Sequence, residues 1–509
     1  MGSSTLYSVC AFAAIGGLCF GYDTGVISSV LTMKHFVTKM TGDPTLDKLS
    51  TLMTGTITGL LLAGCFIGSL LAGPSAEILS RKRTIIIGSL IFIIGGALQT
   101  GANGYAMMVV GRFVAGLGIG ALSMIVPLYQ SELAPKEIRG RLIGLQQLMI
   151  TIGIMIAFWC GVGTEKRNGD SSWRIPLGVQ VAPGVVLLIG AFFLPYSPRW
   201  LLSKGRNAEA LTVLAQLHSD GDETAPHVVA EYEEILAQIE LERAVAVGSY
   251  LELFQGKLRR RMILGMLIQV FQQFTGINSI MYYAPQIFVQ AGLGSNSAGL
   301  IASGVNGCLN VLATIPAVLF MDRLGRRKIM ISGAMAMGTA MILCGAVMGG
   351  VGEITTDLVT GDKTVNMTGN KSASYFCIVM IYLFVAGFAW SWGPVGWVYP
   401  AEIYPLSVRA KGTSITTASN WLMNFVISEI CPVMLVKITY GTYIFFGCCC
   451  AIMATTVYFF YPETKGKSLE EMEDVFSGKV LCHKQVYTKS HSGPQEFAVP
   501  TEEEKKDFV

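Results

Sequence analysis

Charged side chains are scarce in this sequence of 509 residues. Asp, Glu, Lys and Arg together make up 14% of it, whereas an ordinary soluble domain carries about 25%. Hydrophobic residues make up 52%, and the mean hydropathy is +0.53. The shortage of charge excludes a conventional soluble protein and indicates a polytopic membrane protein.

Motifs for metals, nucleotides and disulfides are missing as well. The twelve cysteines show no metal-binding or disulfide spacing, and most of them fall inside apolar runs. No Walker pattern occurs, and no cleavable signal peptide is apparent. We therefore expect no cofactor, no metal, no nucleic-acid partner and no catalytic residue.

Long apolar runs, in contrast, are abundant. A transmembrane helix needs about 20 apolar residues, and such runs recur in two groups of six. We place the first six spans at residues 8–30, 51–73, 84–100, 105–129, 142–161 and 173–194. The second six lie at residues 262–287, 298–321, 329–348, 375–399, 413–435 and 444–461. The sequence predicts an all-α membrane protein with twelve transmembrane helices in two six-helix bundles.

Four regions follow from these spans. They are an N-terminal bundle (1–195), an amphipathic helical linker (196–261), a C-terminal bundle (262–462) and a polar tail (463–509) that we predict to be largely disordered. The halves repeat each other, since Arg139 follows Glu132 by seven positions after the fourth span, and Arg409 follows Glu402 by seven positions after the tenth. Repeated halves place a substrate between them, near the membrane midplane.

Basic residues in the short loops predict the orientation, because Lys and Arg near span ends stay in the cytosol. The bases cluster after the second, fourth, eighth and tenth spans. We therefore predict that these loops, the linker and both termini are cytosolic. Two glycosylation sequons, at Asn366 and Asn370, precede the tenth span on the opposite side.

The seventh span contains an unusual group of amides, Gln272, Gln273 and Asn278. Polar groups in a membrane span are costly. Amides both donate and accept hydrogen bonds, which suits a neutral polyhydroxylated ligand such as a sugar. The alternative is that the amides join helices, a contact worth about 0.6 kcal/mol on average. We favour that alternative for Gln146, and we leave Asn310 and Asn424 open between the two.

A set of motifs covers nearly the whole chain and resembles the sugar porter family of the major facilitator superfamily. The motifs are GYDTG (21–25), Gly111-Arg112, the segment from Glu132 to Arg141, PYSPR (195–199), QQFTGIN (272–278), YYAP (282–285), DRLGRR (322–327), WGPVGW (392–397), NW (420–421) and PET (462–464). Within the family the chain is most similar to fungal high-affinity, proton-coupled monosaccharide transporters.

The resemblance implies which residues bind the sugar. They are Gln147, Gln272, Gln273, Asn278, Asn306, Gly393, Trp397 and Asn420. The chemistry agrees, because amides pair with sugar hydroxyls and an indole face stacks on the C–H surface of a pyranose ring. We expect Trp397 to be that stacking platform.

The resemblance also implies that Asp23 carries the proton. A carboxylate inside a span needs a partner, and Arg112 is the basic residue in the body of the fourth span. Protonation of Asp23 would release Arg112 and couple proton binding to sugar affinity. The alternative is a permanent structural ion pair.

Charged residues at the span ends are assigned to gating between the halves, although they also serve topology through positive charge. They are Glu132, Arg139, Arg141, Arg199, Asp322, Arg323, Arg327, Glu402 and Arg409, and Tyr282 and Tyr283 are assigned to closure at the other end. Two departures from the family pattern fall in this network. The loop before Arg81 lacks one Arg and the Gly, and Tyr196 replaces a Glu, so we expect a different balance of conformations.

Together these observations predict a plasma-membrane carrier that moves a monosaccharide, glucose or another hexose, with a proton by alternating access. It would act as a monomer in the lipid bilayer. The alternatives are a facilitative uniporter, a pentose, polyol or quinate carrier, and a sugar receptor that does not transport. No covalent chemistry is required.

Overall fold

The computed structural model describes residues 3–46, 48–244, 250–256, 258–293, 296–356, 363–367, 369–467 and 472–477. The first part holds α1 (Ser3–Ala13), α2 (Ile15–Val30), α3 (Lys34–Thr41), α4 (Thr51–Ile78), α5 (Arg81–Thr100), α6 (Tyr105–Leu133), α7 (Arg139–Thr164), α8 (Ser171–Val179) and α9 (Val181–Ala191). The linker holds α10 (Pro198–Ser203), α11 (Asn207–His218), α12 (Pro226–Ala244) and a 3₁₀ helix (Tyr250–Phe254).

The second part begins with α13 (Leu258–Phe274), α14 (Ile277–Tyr282) and α15 (Ala284–Gln290). It continues with α16 (Asn296–Leu324), α17 (Arg326–Val351), α18 (Lys371–Trp390), α19 (Trp392–Ile403), α20 (Leu406–Lys437), α21 (Gly441–Phe460) and α22 (Met472–Ser477). An antiparallel hairpin of β1 (Glu353–Thr356) and β2 (Lys363–Asn366) precedes α18. The sequence pattern did not predict this hairpin.

Eleven helical segments of the described chain are long and apolar enough to cross a membrane. The remaining predicted span, the seventh at residues 262–287, is divided into α13, α14 and α15. The first break lies at Gly276, whose φ of +86° is a left-handed conformation that glycine adopts without strain. Phe446 packs where a side chain of residue 276 would lie, 2.7 Å from an ideal Cβ. The amide cluster of the seventh span therefore brackets an interruption of the helix.

Two bundles pack side by side. In the first, α6 packs against α4 and α5, and α2 packs against α7. In the second, α17 packs against α18 and α21, and α13 packs against α20. The bundles meet where α7 contacts α16 and α4 contacts α20. The twelve-span architecture expected from the sequence is confirmed.

Glycines permit close backbone contacts inside the first bundle. A Cβ at Gly116 would collide with the backbone oxygen of Leu61, and one at Gly120 with that of Cys65. Such contacts let the backbones of α4 and α6 approach closely, as small residues do in membrane helix pairs.

Helices α10, α11 and α12 lie in the region that the sequence assigned to the linker. On α12, Ile235 and Ile239 are buried, and Glu233, Glu234 and Glu240 are exposed. Residues 245–249 and 257 lie outside the described chain. The region predicted as the tail contains α22, a short helix that the sequence pattern did not predict. Its Met472 and Phe476 are buried, and the guanidinium of Arg261 lies over the Phe476 ring at 5.0 Å. The pattern was missed because six residues carry little periodicity. The tail beyond residue 477 lies outside the described residues.

Candidate substrate cavity and closure networks

A cavity lies between the two bundles, and both contribute to its wall. The first bundle supplies Phe20, Thr24, Gln147, Ile150 and Ile154, and the second supplies Gln272, Gln273, Ile277, Asn278, Met281, Asn310, Phe388, Trp397 and Asn420. Six of the eight residues predicted to bind substrate line it. Gly393 lies beside it, because a Cβ there would be 2.9 Å from Nε2 of Gln147.

The amides of the cavity wall are fixed by one another. Asn420 donates from Nδ2 to Oε1 of Gln269 at 2.6 Å and to Oε1 of Gln272 at 2.7 Å. Gln273 donates to Oδ1 of Asn420 at 3.1 Å, and Asn278 donates to Oε1 of Gln273 at 2.8 Å. The network holds these side chains in place across the break in the seventh span, and it leaves further donor and acceptor positions for a ligand.

Gln269 anchors this network, although sequence reasoning missed it. It lies about one turn before Gln272 and Gln273 on the same helix, and its Nε2 donates to the backbone oxygen of Gly396 at 2.7 Å. Its spacing from Gln272 and Gln273 was the available signal, since residues three and four apart share a helix face.

The eighth span offers Asn310 to the cavity rather than Asn306. Asn306 is fully buried, and its Nδ2 contacts the sulfur of Met281 at 3.8 Å. Asn310 lines the cavity, and its Oδ1 has no hydrogen-bond partner among the described residues. The sequence prediction assigned substrate contact to Asn306 and left Asn310 open, because periodicity alone does not separate positions i and i+4.

The fifth span also has two adjacent amides with different surroundings. Gln147 faces the cavity. Gln146 points away from it and donates to the backbone oxygen of Ser123 at 3.4 Å. The packing role expected for Gln146 agrees with this contact.

Aromatic rings form another part of the wall. Phe20 of α2 contacts Trp397 edge-on at 6.2 Å between ring centroids, and it contacts Trp421 at 4.9 Å. Trp397 was expected as a stacking platform, and the structure places its ring beside the cavity. Phe20 was missed, because one phenylalanine in an apolar span carries no distinguishing sequence signal.

Asp23 and Arg112 form a fully buried ion pair next to the cavity. Nη1 of Arg112 lies 2.9 Å from each carboxylate oxygen of Asp23, and Nε donates to the backbone oxygen of Ile57 at 3.2 Å. Nη2 has no partner among the described residues. Thr24, the residue after Asp23, lines the cavity, so a movement of Asp23 would displace part of the cavity wall.

Two matching carboxylate networks lie at one end of the bundles, which we call the basic end because the Arg- and Lys-rich loops lie there. In the first half, Arg81 binds both oxygens of Glu132 at 2.7 and 2.9 Å, and Ser197 donates to Glu132 at 2.5 Å. In the second half, Arg326 binds Glu402 at 2.7 Å, and Thr464 donates to it at 2.9 Å. Arg81 and Arg326 were absent from the predicted gating set.

Contacts between the two halves close the basic end. The backbone nitrogen of Arg141 donates to Asp322 at 2.9 Å, and Arg139 donates to the backbone oxygen of Lys467 at 3.3 Å. Asp322 in turn binds Arg326 at 2.9 Å. These contacts join the start of α7 to the end of α16 and to the segment after α21.

The other predicted gating residues have varied positions. Arg199 and Arg409 are buried, and Arg409 donates from Nε to the backbone oxygen of Tyr404 at 3.1 Å. Arg327 lies over the Tyr458 ring at 5.3 Å. Arg323 has an exposed side chain.

The opposite end is closed around the broken seventh span. Tyr282 and Tyr283 are buried. Asn424 donates to the hydroxyl oxygen of Tyr282 at 3.4 Å, and the Tyr283 hydroxyl donates to the backbone oxygen of Ser428 at 3.3 Å. α14 also packs against α2 of the first bundle.

The two departures from the family pattern lie at the start of α5, where the capping differs from that of α17. Glu463 caps the start of α17 by accepting from the backbone nitrogens of Arg326 and Arg327 at 2.8 and 3.0 Å. At the corresponding start of α5, Ser80 accepts from the backbone nitrogen of Arg83 at 3.3 Å. Tyr196 takes the position of Glu463 in the repeat, and Lys82 lies over its ring at 5.1 Å.

One glycosylation candidate has a structural role. Asn370 is exposed, and its Oδ1 accepts from the backbone nitrogen of Ala373 at the start of α18. Asn366 ends β2, and its side chain lies outside the described part, as does the third residue of its sequon.

Two spanning bundles with a polar cavity between them define a membrane carrier. The model of the Sugar (and other) transporter family matches residues 9–476, and the chain belongs to this family. It is 37% identical over 495 residues to the MFS glucose transporter mfs1 of Aspergillus flavus, covering 95% of this chain and 92% of that protein. It is 36% identical to the high-affinity glucose transporter 1 of Candida albicans, covering 93% and 86%.

Solved structures of a bacterial relative share the fold. The proton:xylose symporter XylE bound to 6-bromo-6-deoxy-D-glucose superposes with a TM-score of 0.79 at 28% identity, covering 94% of this chain and all of that one. The inward-open conformation of XylE from E. coli gives a lower TM-score of 0.66 at 26% identity, covering 92% and 99%. The present conformation is therefore more similar to the ligand-bound structure than to that inward-open one.

Proposed function

We propose that this sugar transporter carries glucose or another hexose together with a proton across the plasma membrane. The basic end faces the cytosol with both termini, and the protein acts as a monomer in the lipid bilayer. This proposal is supported by two relatives that are named as glucose transporters and by a structural relative that is named as a proton symporter.

The cavity carries the sugar part of the proposal. Its polar wall consists of uncharged amides, which donate and accept hydrogen bonds as sugar hydroxyls do. Asn310 adds an acceptor without a partner among the described residues, and Trp397 adds an indole face for the ring. An anionic substrate such as quinate would require a cation in this wall, and the lining residues include none.

The ion pair carries the proton part. When Asp23 is ionised, it holds Arg112 by two charge-assisted contacts. A proton on Asp23 removes the negative charge, so Arg112 retains chiefly its bond to Ile57. Because Phe20, Asp23 and Thr24 lie on one helix, the change would alter the cavity wall, which couples proton and sugar binding.

Alternating access follows from the two ends. Both are closed here, at the basic end by Arg141 and Asp322 and at the other by Tyr282 and Tyr283. The Arg81–Glu132 and Arg326–Glu402 networks brace the basic end. Sugar would enter when the tyrosine end opens, and it would leave when the contacts between the halves at the basic end break.

Uniport is the second candidate, and the geometry of the pair is its support. A permanent structural ion pair would also be fully buried, with the guanidinium contacting both carboxylate oxygens. In that case Asp23 would stay ionised throughout the cycle.

The test is uptake of labelled glucose into proteoliposomes with and without an inward proton gradient, comparing the natural chain with Asp23→Asn. Gradient-driven accumulation that the substitution reduces to equilibration supports symport. Equilibration by both proteins would establish uniport. The absence of uptake, with other sugars binding the purified protein, would overturn the choice of hexose.

A further inference from the structure

His218 ends α11 in the linker, and its imidazole ring bridges two other helices. Nδ1 lies 2.7 Å from Oε2 of Glu231 in α12. Nε2 lies 3.0 Å from the backbone oxygen of Leu133, the last residue of α6. An ionised carboxylate and a carbonyl only accept hydrogen bonds, and a neutral imidazole has one N–H, so only the protonated ring satisfies both contacts.

The groups that act on the ring lie on three helices, α6, α10 and α12. Burial is the largest single effect, and it lowers the pKa of His218. Arg199 in α10 lowers it further by a smaller amount. Glu231 and the Leu133 carbonyl together outweigh both effects, so the pKa is raised above its usual 6.5. Burial raises the pKa of Glu231, but His218, Arg199 and Arg139 of α7 outweigh it and lower that pKa. The carboxylate therefore stays ionised opposite the imidazole.

The position of this bridge connects it to closure of the basic end. Leu133 follows Glu132, which binds Arg81 and Ser197. α12 also packs against α20 of the second bundle. A cation at the carboxyl end of α6 is favoured by the helix dipole. The protonated ring thus connects α12, which contacts the second bundle, with the carboxyl end of α6 in the first bundle.

We propose that His218 is a second proton-binding site, separate from Asp23, which fastens the linker across the closed basic end when the adjoining compartment is acidic. A group whose pKa is raised in the docked state stabilises that state fully below its free pKa, about 6.5. The stabilisation disappears as the pH rises through the docked-state pKa. Acidification therefore favours the docked linker and opposes opening of the basic end.

Under the proposed symport, each transport cycle delivers a proton to this side. The site would then slow further import as protons accumulate. The inference itself depends only on the linker contacts, so it stands or fails separately from the choice of substrate and from the role of Asp23.

Hydrogen exchange of the purified full chain, without sugar or gradient, tests the site. Amide protection of α11, α12 and the end of α6 is measured between about pH 5.5 and 7.5, one unit either side of the usual histidine pKa. Each value is corrected for the pH dependence of intrinsic exchange. We expect protection to fall as the pH rises, by up to about tenfold for each unit by which docking raises the pKa.

His218→Gln should remove this pH dependence. Glu231→Gln removes the charge but keeps an acceptor, and it should also flatten the profile, which preserves the test if His218→Gln folds poorly. His35→Gln is the control, since His35 is an exposed histidine of α3 that lies outside the linker, and it should retain the natural profile. A flat profile in the natural chain, or the natural profile in a folded His218→Gln variant, would overturn the proposal.

Discussion

The indole nitrogen of Trp421 donates a hydrogen bond to the hydroxyl oxygen of Ser123 at 3.0 Å. Trp421 belongs to α20 in the second bundle, and Ser123 belongs to α6 in the first. Both side chains are buried, and Trp421 also packs against Phe20 of the cavity wall. One hydrogen bond therefore crosses between the bundles next to the cavity, and it must break when they separate there.

Ser123→Ala should weaken the closed state. The loss of one intramolecular hydrogen bond costs about 1 kcal/mol, which is roughly a fivefold change in the balance between closed and open forms. Hydrogen exchange along α6 and α20 measures that balance. Ser419→Ala is the control, because Ser419 bonds within its own helix, to the oxygen of Ile415. Equal exchange in both variants would contradict a latch between the bundles.

Asn310→Ala should reduce sugar affinity more than Asn306→Ala. Loss of one or two hydrogen bonds to sugar costs about 1 to 2 kcal/mol, so the sugar Kd should rise roughly tenfold. Asn306 lies outside the cavity, and its substitution should chiefly lower the thermal midpoint. Calorimetric titration with glucose separates the two. A larger loss of affinity in Asn306→Ala would restore the original sequence prediction.

Arg326→Gln should destabilise the protein strongly, whereas Arg323→Gln should not. Arg326 is buried between Glu402 and Asp322, and removing one partner of a buried pair costs about 3 to 5 kcal/mol. Arg323 has an exposed side chain, where an ion pair is worth at most about 1 kcal/mol. Chemical denaturation of the purified protein compares them. Similar losses in the two variants would show that burial does not decide the effect.

Ser80→Gly should stabilise the protein. Ser80 precedes Arg81 with φ of +115°, and Gly325 precedes Arg326 with φ of +91°. A non-glycine residue in such a conformation costs about 1 to 3 kcal/mol, whereas replacing a serine cap by glycine costs a few tenths. The thermal midpoint should therefore rise. Ser80→Ala, which keeps the strain and loses the cap, should lower it, and the reverse order would refute the argument.

The twelve spans could be predicted from the sequence because hydropathy reports directly on burial in lipid. The break at Gly276 was less accessible, since a Thr-Gly pair inside an apolar run indicates a weak point without fixing its geometry. The β1–β2 hairpin and α22 were missed for a different reason. Both are short, and their formation depends on tertiary contacts such as that of Arg261 with Phe476.

The candidate site was predicted in its chemistry better than in its detail. The amides of the seventh span could be recognised as candidate ligand contacts, because a polar cluster in a membrane requires a partner. The choice between Asn306 and Asn310, the anchoring role of Gln269 and the buried positions of Arg81 and Arg326 depend on helix rotation. Rotation is set by packing against neighbours, and a local sequence window does not contain it.

The interruption at Gly276 gives the seventh span a mechanical consequence. A continuous helix would transmit any tilt along its whole length, so opening the tyrosine end would drag Gln272 and Gln273 with it. With the backbone divided at one residue, the piece bearing Tyr282 can swing as an independent lever while α13 stays fixed against α20. Gln272 and Gln273 can thereby hold a bound ligand while the entrance moves, and the movement carries Asn278 away from Gln273.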